Sequence, residues 1–150
     1  MPHLRSRLLA LLLASGLLAA AAVTPAGANT SRAKLQLRAT SLGQILVNSR
    51  GYTVYAFSKD SRNRDNCQNN SVCISVWPAV TTNGSPIAGP GVKASLIGTI
   101  PVKGLRQVTY AGHPLYGYII DTGPGQTFYI NVLQFTGRWP ALNAAGHEVK

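Results

Sequence analysis

An internal repeat constrains this chain more than any other feature of its sequence. The segments VYAFSKDS (residues 54–61) and LYGYIIDT (residues 115–122) both carry the pattern Tyr-x-aromatic-x-x-Asp. When the sequence is shifted against itself by 61 positions, these residues coincide: Gly51 with Gly112, Tyr55 with Tyr116, Phe57 with Tyr118, Asp60 with Asp121, and Ser61 with Thr122. A motif that recurs at a fixed period marks a repeated structural unit, so we expect two copies of one unit.

The match resumes further along the chain at a shift of 62 positions. WPAVTTNG, which begins at Trp77, aligns with WPALNAAG, which begins at Trp139. Two separated matches at nearly one shift are hard to obtain by chance, so we place the two units at about residues 40–89 and 101–146. The Gly- and Pro-rich stretch NGSPIAGPG between them is typical of a connecting loop.

Each unit begins with a pattern that predicts a β-hairpin. In ILVNSRGYTVYAF two β-favouring runs flank a turn that ends at Gly51, and in RQVTYAGHPLYGYII two such runs flank the turn at Gly112. No part of residues 29–150 shows a sustained helical period. We therefore predict an all-β fold, in which two tandem hairpin-based repeats pack as one pseudo-symmetric sandwich or barrel-like domain.

Alternation along a strand places the two aromatic residues of each motif on the same face, Tyr55 with Phe57 and Tyr116 with Tyr118. If this face is buried, the rings fill the core between the units, which is the interpretation that we favour. If it is exposed, the rings suit stacking on a ligand, such as a sugar or a flat cofactor. Trp77 and Trp139 belong to the same motif set, and both roles stay open for them.

The two Asp residues of the motif have a structural and a chemical interpretation. Asp60 and Asp121 precede the turn sequences SRN and TGP, where an Asp side chain accepts hydrogen bonds from the next backbone N–H groups. The stretch YIIDTGPG also resembles the hydrophobic-hydrophobic-Asp-Thr-Gly motif of the aspartic proteases, in which two carboxylates share a proton. The first unit has no Gly after its Asp, and units of this size leave little room for a substrate cleft. A hydrolase that uses Asp60 and Asp121 is therefore kept as the alternative hypothesis.

The first 28 residues have the three parts of a secretory signal peptide. MPHLRSR is basic, LLALLLASGLLAAAAV is apolar, and PAGA ends in the small-x-small pattern formed by Ala26 and Ala28. We expect cleavage after Ala28 and a single mature domain at residues 29–150. A retained membrane anchor is the alternative, because the apolar run is close to the shortest length of about 17 residues that spans a bilayer. The small-residue exit favours cleavage, and hence a secreted or envelope-associated protein.

The charge balance points to anionic partners without identifying one. The chain has 14 Lys and Arg residues against four acids, Asp60, Asp65, Asp121 and Glu148. A positive surface favours wall polymers, anionic lipid headgroups or nucleic acid, although solubility alone also accounts for it. No basic run or basic helical stripe occurs, so nucleic acid is not expected, whereas anionic envelope components are candidate partners. The oligomeric state stays open.

The remaining reactive residues indicate a structural staple and no metal or cofactor site. Cys67 and Cys73 are the only cysteines, and in an exported chain we expect them to form a disulfide that pins a surface loop. A redox motif is disfavoured by their spacing and by the lack of an adjoining basic group. His113 and His147 lack Cys or acidic neighbours at metal-ligand spacing; we expect a half-buried strand residue and a tail residue.

The sequence resembles a bacterial family of secreted repeats of unknown function, also described as predicted lipoproteins with a Tyr-x-(Phe/Trp/Tyr)-x-x-Asp motif. The resemblance rests on the doubled motif, the Cys pair before Trp77-Pro78, and QVTYAGHPLY, and it covers about residues 42–149. It implies an exported protein with tandem repeats and supplies no catalytic residues. Three features depart from the family: no lipobox Cys is present, Trp77-Pro78 lacks the frequent second Pro, and Trp139 is followed by Pro. The first departure weakens a lipoprotein assignment.

The sequence as a whole favours a non-enzymatic function. Export, few acids and histidines, and paired aromatic-rich hairpins are typical of a binding or envelope-associated module rather than of an enzyme. No nucleophile elbow, phosphate loop or Cys–His pair occurs. We expect no catalytic residues and no cofactor.

Overall fold

The structure, a computed structural model, describes residues 31–149, so the predicted signal peptide and its cleavage site lie outside the described residues. The strands in this range are β1 Lys34–Thr40, β2 Gly43–Asn48, β3 Thr81–Thr82, β4 Ile87–Ala88, β5 Ile97–Val102, β6 Leu105–Tyr110, β7 His113–Pro114, β8 Val132–Gln134 and β9 Gly137–Trp139. One short helix, α1 Ser71–Val76, and the 3₁₀ turns Cys67–Asn69 and Ala94–Leu96 accompany them. The prediction of an all-β fold is confirmed.

Two antiparallel hairpins repeat along the chain. In the first, β1 pairs with β2 from Leu35 opposite Asn48 to Thr40 opposite Gly43. In the second, β5 pairs with β6 in the same way, and β6 lies 62 positions after β2. The sequence predicted that the two units begin at about residues 40 and 101. In the structure, the first strand of each unit starts earlier, at Lys34 and at Ile97. The shifted comparison missed these strands because no residue is identical between the two hairpins at that shift.

The turns that the sequence predicted at Gly51 and Gly112 are present at equivalent places in the two units. Gly51 has φ +82° and Gly112 has φ +87°, values that favour glycine because it has no Cβ. After Gly112 the chain pairs back on β6 as β7. After Gly51 it makes a single bridge between Val47 and Thr53. The second strand of each predicted hairpin is therefore short, and the chain soon leaves it for the centre of the molecule.

The strands of the described range form three small sheets rather than a closed barrel. The first has the order β2-β1-β4, in which β4 runs parallel to β1. The second has the order β3-β6-β5, with β7 also on β6, and the third is the pair β8-β9. Because β3 of the first unit pairs with β6 of the second, this second sheet contains strands from both units.

The two units interleave in a central layer of four extended segments. Tyr55 and Tyr116 exchange backbone hydrogen bonds of 2.9 Å in both directions. On the outer side of Tyr116 lies Ala79 of the first unit, and on the outer side of Tyr55 lies Ala141 of the second unit. The Trp-Pro-Ala segment of each unit therefore pairs with the motif segment of the other. A pseudo-twofold relation between Tyr55 and Tyr116 follows.

The helix α1, which the sequence did not predict, begins inside the disulfide loop. Cys67 and Cys73 are bonded, with their Cα atoms 5.5 Å apart, so the predicted pairing is confirmed. Asn70 caps α1, since its side-chain oxygen accepts hydrogen bonds from the backbone N–H groups of Val72 at 3.0 Å and Cys73 at 3.1 Å. A helix of six residues is too short to show a 3.6-residue period in the sequence. Asn70 is the one residue here that could have indicated the start of a helix, because Asn is a preferred N-cap.

Candidate functional site

The motif side chains lie in the core between the two units. Tyr55 and Tyr116 are fully buried, Phe57 is 5% exposed and Tyr118 is 8% exposed. Trp77 and Trp139, the tryptophans of the second repeated match, are fully buried in the same cluster, together with the disulfide. From the sequence, these rings could have either a structural or a ligand-binding role. Their burial leaves no ring face for a ligand to stack on without opening the core.

Four of the rings form one continuous aromatic stack, made of Phe57, Trp139, Trp77 and Tyr118 in that order. The two indoles are stacked with centroids 4.0 Å apart and an angle of 3° between their planes. Phe57 lies 4.2 Å from Trp139, and Tyr118 lies 4.0 Å from Trp77. Phe57 and Tyr118 are repeat equivalents, and each stacks on the tryptophan of the other unit. The stack therefore joins the units by dispersion and offset π contacts.

Both indole N–H groups of the stack are satisfied by one residue. Trp77 Nε1 donates to the side-chain oxygen of Gln134 at 2.8 Å, and Trp139 Nε1 donates to the backbone oxygen of Gln134 at 3.2 Å. The Gln134 amide in turn donates to the Tyr118 hydroxyl at 3.3 Å. Gln134 has no counterpart in the repeated motif, so its role could not be predicted from the repeat.

The motif tyrosines and aspartates form two crossed Tyr–Asp pairs, each between units. The Tyr116 hydroxyl donates to Asp60 Oδ2 at 2.7 Å. The Tyr55 hydroxyl donates to Asp121, with distances of 3.0 and 3.3 Å to its two carboxylate oxygens. The Tyr and the Asp of one copy of the motif therefore do not form a hydrogen-bonded pair with each other. Each pairs with its partner in the other copy.

The turn role predicted for the two aspartates needs correction. Asp60 Oδ1 accepts one backbone hydrogen bond, but from Asn66, six residues later, at 2.8 Å. At Asp121 the first N–H of the turn, that of Thr122, donates to Gln126 Oε1 at 2.9 Å. Because the Gln126 side chain satisfies the turn, the Asp121 carboxylate is available to Tyr55. The sequence spacing shows neither of these longer-range partners.

Burial raises the pKa of all four side chains in the crossed pairs. It raises the pKa of Asp60 to about 7, although the hydrogen bonds from Asn66 and Tyr116 oppose the shift. It also raises the pKa of Asp121, again against the hydrogen bond from its tyrosine. For Tyr55 and Tyr116, burial and the facing carboxylates together raise the hydroxyl pKa far above the ordinary value. Both tyrosines therefore stay protonated and act as donors.

A third acid, which the sequence analysis did not single out, lies beside the Tyr116–Asp60 pair. Asp65 is 1% exposed, and its Oδ1 accepts a hydrogen bond from the Gln68 N–H at 2.8 Å. Its Oδ2 is buried without a hydrogen-bond partner among the described residues. The charge of Asp65 contributes to raising the pKa values of Asp60 and Tyr116. Of the four acids, Asp65 is thus buried and Asp60 is half-buried beside it.

A cavity of about 340 Å³, here called the Asp121 cavity, opens beside the aromatic stack. Its walls come from both units and comprise Asn48, Arg50, Tyr52, Thr53, Pro78, Gly117, Tyr118, Ile119 and Asp121. Asp60 is not among them. The hydrolase hypothesis requires both carboxylates to converge in one pocket, and each is instead held by a different tyrosine. The geometry gives that hypothesis no support.

A second depression, here called the basic groove, adjoins the Asp121 cavity. It measures about 370 Å³ and is lined by residues 31–34, 48–50 and 80–81, including Arg32, Lys34 and Arg50. Asn48 and Arg50 line both spaces. No acidic residue lines the groove. Neither depression was visible in the sequence, because their walls combine segments that are far apart along the chain.

The two histidines of the described range differ in their burial. His113 is half-buried in β7, and burial lowers its pKa. His147 is exposed near the end of the described range. Within residues 31–149, no group of three or more His, Cys, Asp or Glu side chains is placed to hold a metal ion. No helix of that range is long and apolar enough to cross a membrane.

Comparison with known proteins defines the class to which this fold and motif belong. A family described as "Secreted repeat of unknown function" matches the chain twice, at residues 37–81 and 100–143. The two matches together cover more than half of the chain, so the protein belongs to this family of secreted repeats. Each match contains one copy of the motif and one Trp-Pro-Ala segment. No curated protein and no solved structure matches the chain.

Proposed function

We propose that the mature domain is an exported, non-enzymatic binding module that associates with anionic polymers of the cell envelope. The observation that carries this proposal is an unbalanced positive charge. Three of the 14 Lys and Arg residues, Arg5, Arg7 and Lys150, lie outside the described range, which leaves 11 within it against four acids. Such an excess attracts polyanions and accelerates their encounter with the protein.

The fold increases this imbalance by burying one carboxylate completely and two in part. Asp60 and Asp121 accept hydrogen bonds from tyrosines, and Asp65 is buried. The one ion pair between residues 31 and 149 joins Arg138 to Glu148 at 3.0 Å. The other ten cations of this range form no ion pair with a carboxylate of the described residues. Their charge is available to an external partner.

The basic groove is the place where we expect the polymer to bind. Arg32 is held by its Nε, which donates to the Ser85 backbone oxygen at 2.6 Å. Arg50 lies over the Tyr52 ring, 5.2 Å from the centroid. Lys34 is half-buried in β1, which limits its freedom. Cations that are positioned before binding lose less conformational entropy when they meet an anionic chain.

Binding of the folded mature domain to long-chain inorganic polyphosphate, measured by titration calorimetry, tests this proposal. We expect the affinity to fall steeply between low and physiological salt, because exposed charges are screened within about 8 Å at 0.15 M ionic strength. The triple variant Arg32→Gln, Lys34→Gln, Arg50→Gln should lose most of the binding. A variant with the same loss of charge elsewhere, Arg64→Gln, Lys93→Gln, Lys103→Gln, is the control.

Three outcomes would contradict the proposal. Equal loss in both triple variants would show that net charge, and not the groove, attracts the polymer. No binding to polyphosphate, together with binding to phosphatidylglycerol vesicles that neither triple variant weakens, would replace a polymer partner by a lipid surface. Conversely, turnover of a cell-wall or peptide substrate that is lost on changing Asp60 or Asp121 would favour the hydrolase alternative.

Export by a cleaved signal peptide is part of the same proposal. The family description supports secretion of the chain. We expect the protein recovered from the culture or the envelope to begin at Asn29 and to carry an oxidised Cys67–Cys73 pair. The intact mass of the recovered protein measures both features at once. A mass that retains residues 1–28 would favour the membrane-anchor alternative.

A further inference from the structure

The Asp121 cavity presents two opposite charges that are not paired with each other. Asp121 stands on one wall, where its carboxylate accepts the Tyr55 hydrogen bond at 3.0 Å. Arg50 stands on another wall, with its guanidinium over the Tyr52 ring. No ion pair joins Arg50 to Asp121 at 4.0 Å or less. Two opposite charges that line one cavity and do not pair with each other favour a ligand that carries a complement to each.

The walls of the cavity are built before any ligand arrives. Tyr55 fixes the Asp121 carboxylate, and the buried stack fixes Tyr118 behind it. On the other side, Asn48 Oδ1 accepts the backbone N–H groups of Arg50 at 2.9 Å and Tyr52 at 3.1 Å, which holds the segment that carries the arginine. Fixed polar groups at the two sides and ring edges between them are typical of a small-molecule site.

Gly117 keeps part of this space open. A Cβ added at Gly117 would meet no heavy atom within 4 Å, and its φ lies outside the left-handed region. Its repeat equivalent, Ala56, is 1% exposed and packs in the core. The same position in the two units thus fills the core in one and borders open space in the other. The second unit has a cavity where the first has packing.

We propose that the Asp121 cavity binds a small zwitterionic ligand, such as a short peptide with free ends, with its anionic group at Arg50 and its ammonium group at Asp121. The apolar walls formed by Pro78 and Ile119 and the ring of Tyr118 contact the body of the ligand. A volume of about 340 Å³ lies within the range of about 300–1,000 Å³ that is usual for ligand pockets. This site is distinct from the polymer-binding role of the basic groove, although Arg50 borders both.

Calorimetric titration of the folded mature domain with three probes of one size tests the proposal. The probes are alanyl-alanine, 2-methylpropanoyl-alanine, in which a methyl group replaces the ammonium group, and alanyl-alanine amide, which lacks the carboxylate. We expect alanyl-alanine to bind at about millimolar or lower Kd, and each modified probe to bind at least about tenfold more weakly, because each loses one charged hydrogen bond.

Variants of the walls separate this site from the basic groove. Asp121→Asn retains an acceptor for Tyr55 and should remove the preference for the free ammonium group. Gly117→Leu should abolish dipeptide binding by filling the cavity, while the far-ultraviolet spectrum and the melting transition report that the fold is intact. Arg32→Gln is the control, because it should weaken polyphosphate binding and leave dipeptide binding unchanged.

The proposal is overturned if alanyl-alanine does not bind at millimolar concentration or if the three probes bind equally. It is also overturned if a folded Gly117→Leu variant binds the dipeptide as well as the unchanged protein does. Loss of dipeptide binding in Arg32→Gln would place the ligand in the groove rather than in the cavity. Failure of polyphosphate binding alone leaves these outcomes unaffected, so the two proposals fail separately.

Discussion

Tyr116 and Asp60 form the shorter of the two crossed Tyr–Asp pairs. The ring of Tyr116 is fully buried and meets Trp139 edge to face, with centroids 5.2 Å apart. Its hydroxyl is the donor to a carboxylate that is itself largely removed from water. The side chain therefore contributes in two ways, by filling the core and by satisfying a buried acceptor.

These two contributions can be measured separately at Tyr116. Tyr116→Ala should lower the free energy of unfolding by about 3–5 kcal/mol, by analogy with other large aromatic truncations. Tyr116→Phe retains the ring and should cost about 1–3 kcal/mol, because Asp60 loses its donor. Urea denaturation measures both, and Tyr55→Phe, whose carboxylate partner is more accessible, is the matched comparison. A loss below about 1 kcal/mol for Tyr116→Ala would show that the ring is not a core residue.

The raised pKa of Asp60 predicts how stability changes with pH. Burial raises the pKa of Asp60 to about 7 in the folded protein, whereas the unfolded chain releases this proton near the ordinary aspartate pKa of 3.8. The folded state binds more protons between these values, so this group makes stability fall as the pH rises from about 4 to 7. Asp121 acts in the same direction, and His113, whose pKa is lowered, acts in the opposite one.

Melting temperatures recorded across this pH window measure that contribution. Asp60→Asn retains an acceptor and cannot ionise, so the decline of stability between about pH 4 and 7 should be smaller in this variant than in the unchanged protein. His113→Gln removes the opposing titration and should make the decline steeper. If Asp60→Asn leaves the pH profile unchanged, the carboxyl does not have the raised pKa inferred from its burial.

At the scale of secondary structure, α1 depends on two local restraints, the cap at Asn70 and the disulfide. Asn70→Ala removes the acceptor of two backbone N–H groups and should cost about 1 kcal/mol. Asn69→Ala, a substitution at an exposed position that leaves the cap intact, should cost much less. Thermal unfolding under oxidising conditions measures the difference. Equal effects of the two substitutions would mean that the cap does not stabilise α1.

The elements themselves were predictable in part. Val, Ile and Tyr around the Gly51 and Gly112 turns indicated β structure, and both turns are present. The first strands of the two units, β1 and β5, were missed as repeat elements, since no residue is identical between them at the shift of 62. Their equivalence lies in pairing register, which different side chains satisfy equally well.

At the scale of the whole molecule, contacts between the two copies of the motif explain why the motif occurs twice. The central layer pairs each motif segment with the other motif segment and with the other unit's Trp-Pro-Ala segment. The aromatic stack and the crossed pairs also join one copy to the other. A motif that must match its own copy across a pseudo-twofold relation has to occur twice.

The candidate site was less predictable than the fold for the same reason. The sequence identified Tyr55, Asp60 and their repeat equivalents, because identity at one shift marks them. It could not say that Tyr55 meets Asp121, since spacing along the chain carries no information about contacts between units. Arg50 and Gly117, which border the Asp121 cavity, lie outside the shared identities and become neighbours of that cavity only after the units interleave.

Double-mutant cycles on urea unfolding test the central claim, that the motif joins the two units crosswise. The cycle of Tyr116→Phe with Asp60→Ala should give a coupling energy of about 0.5–3 kcal/mol, and so should that of Tyr55→Phe with Asp121→Ala. The cycle of Tyr55→Phe with Asp60→Ala, which joins residues of the same copy, should be additive within about 0.5 kcal/mol. Strong coupling within one copy, and additivity between copies, would contradict the account.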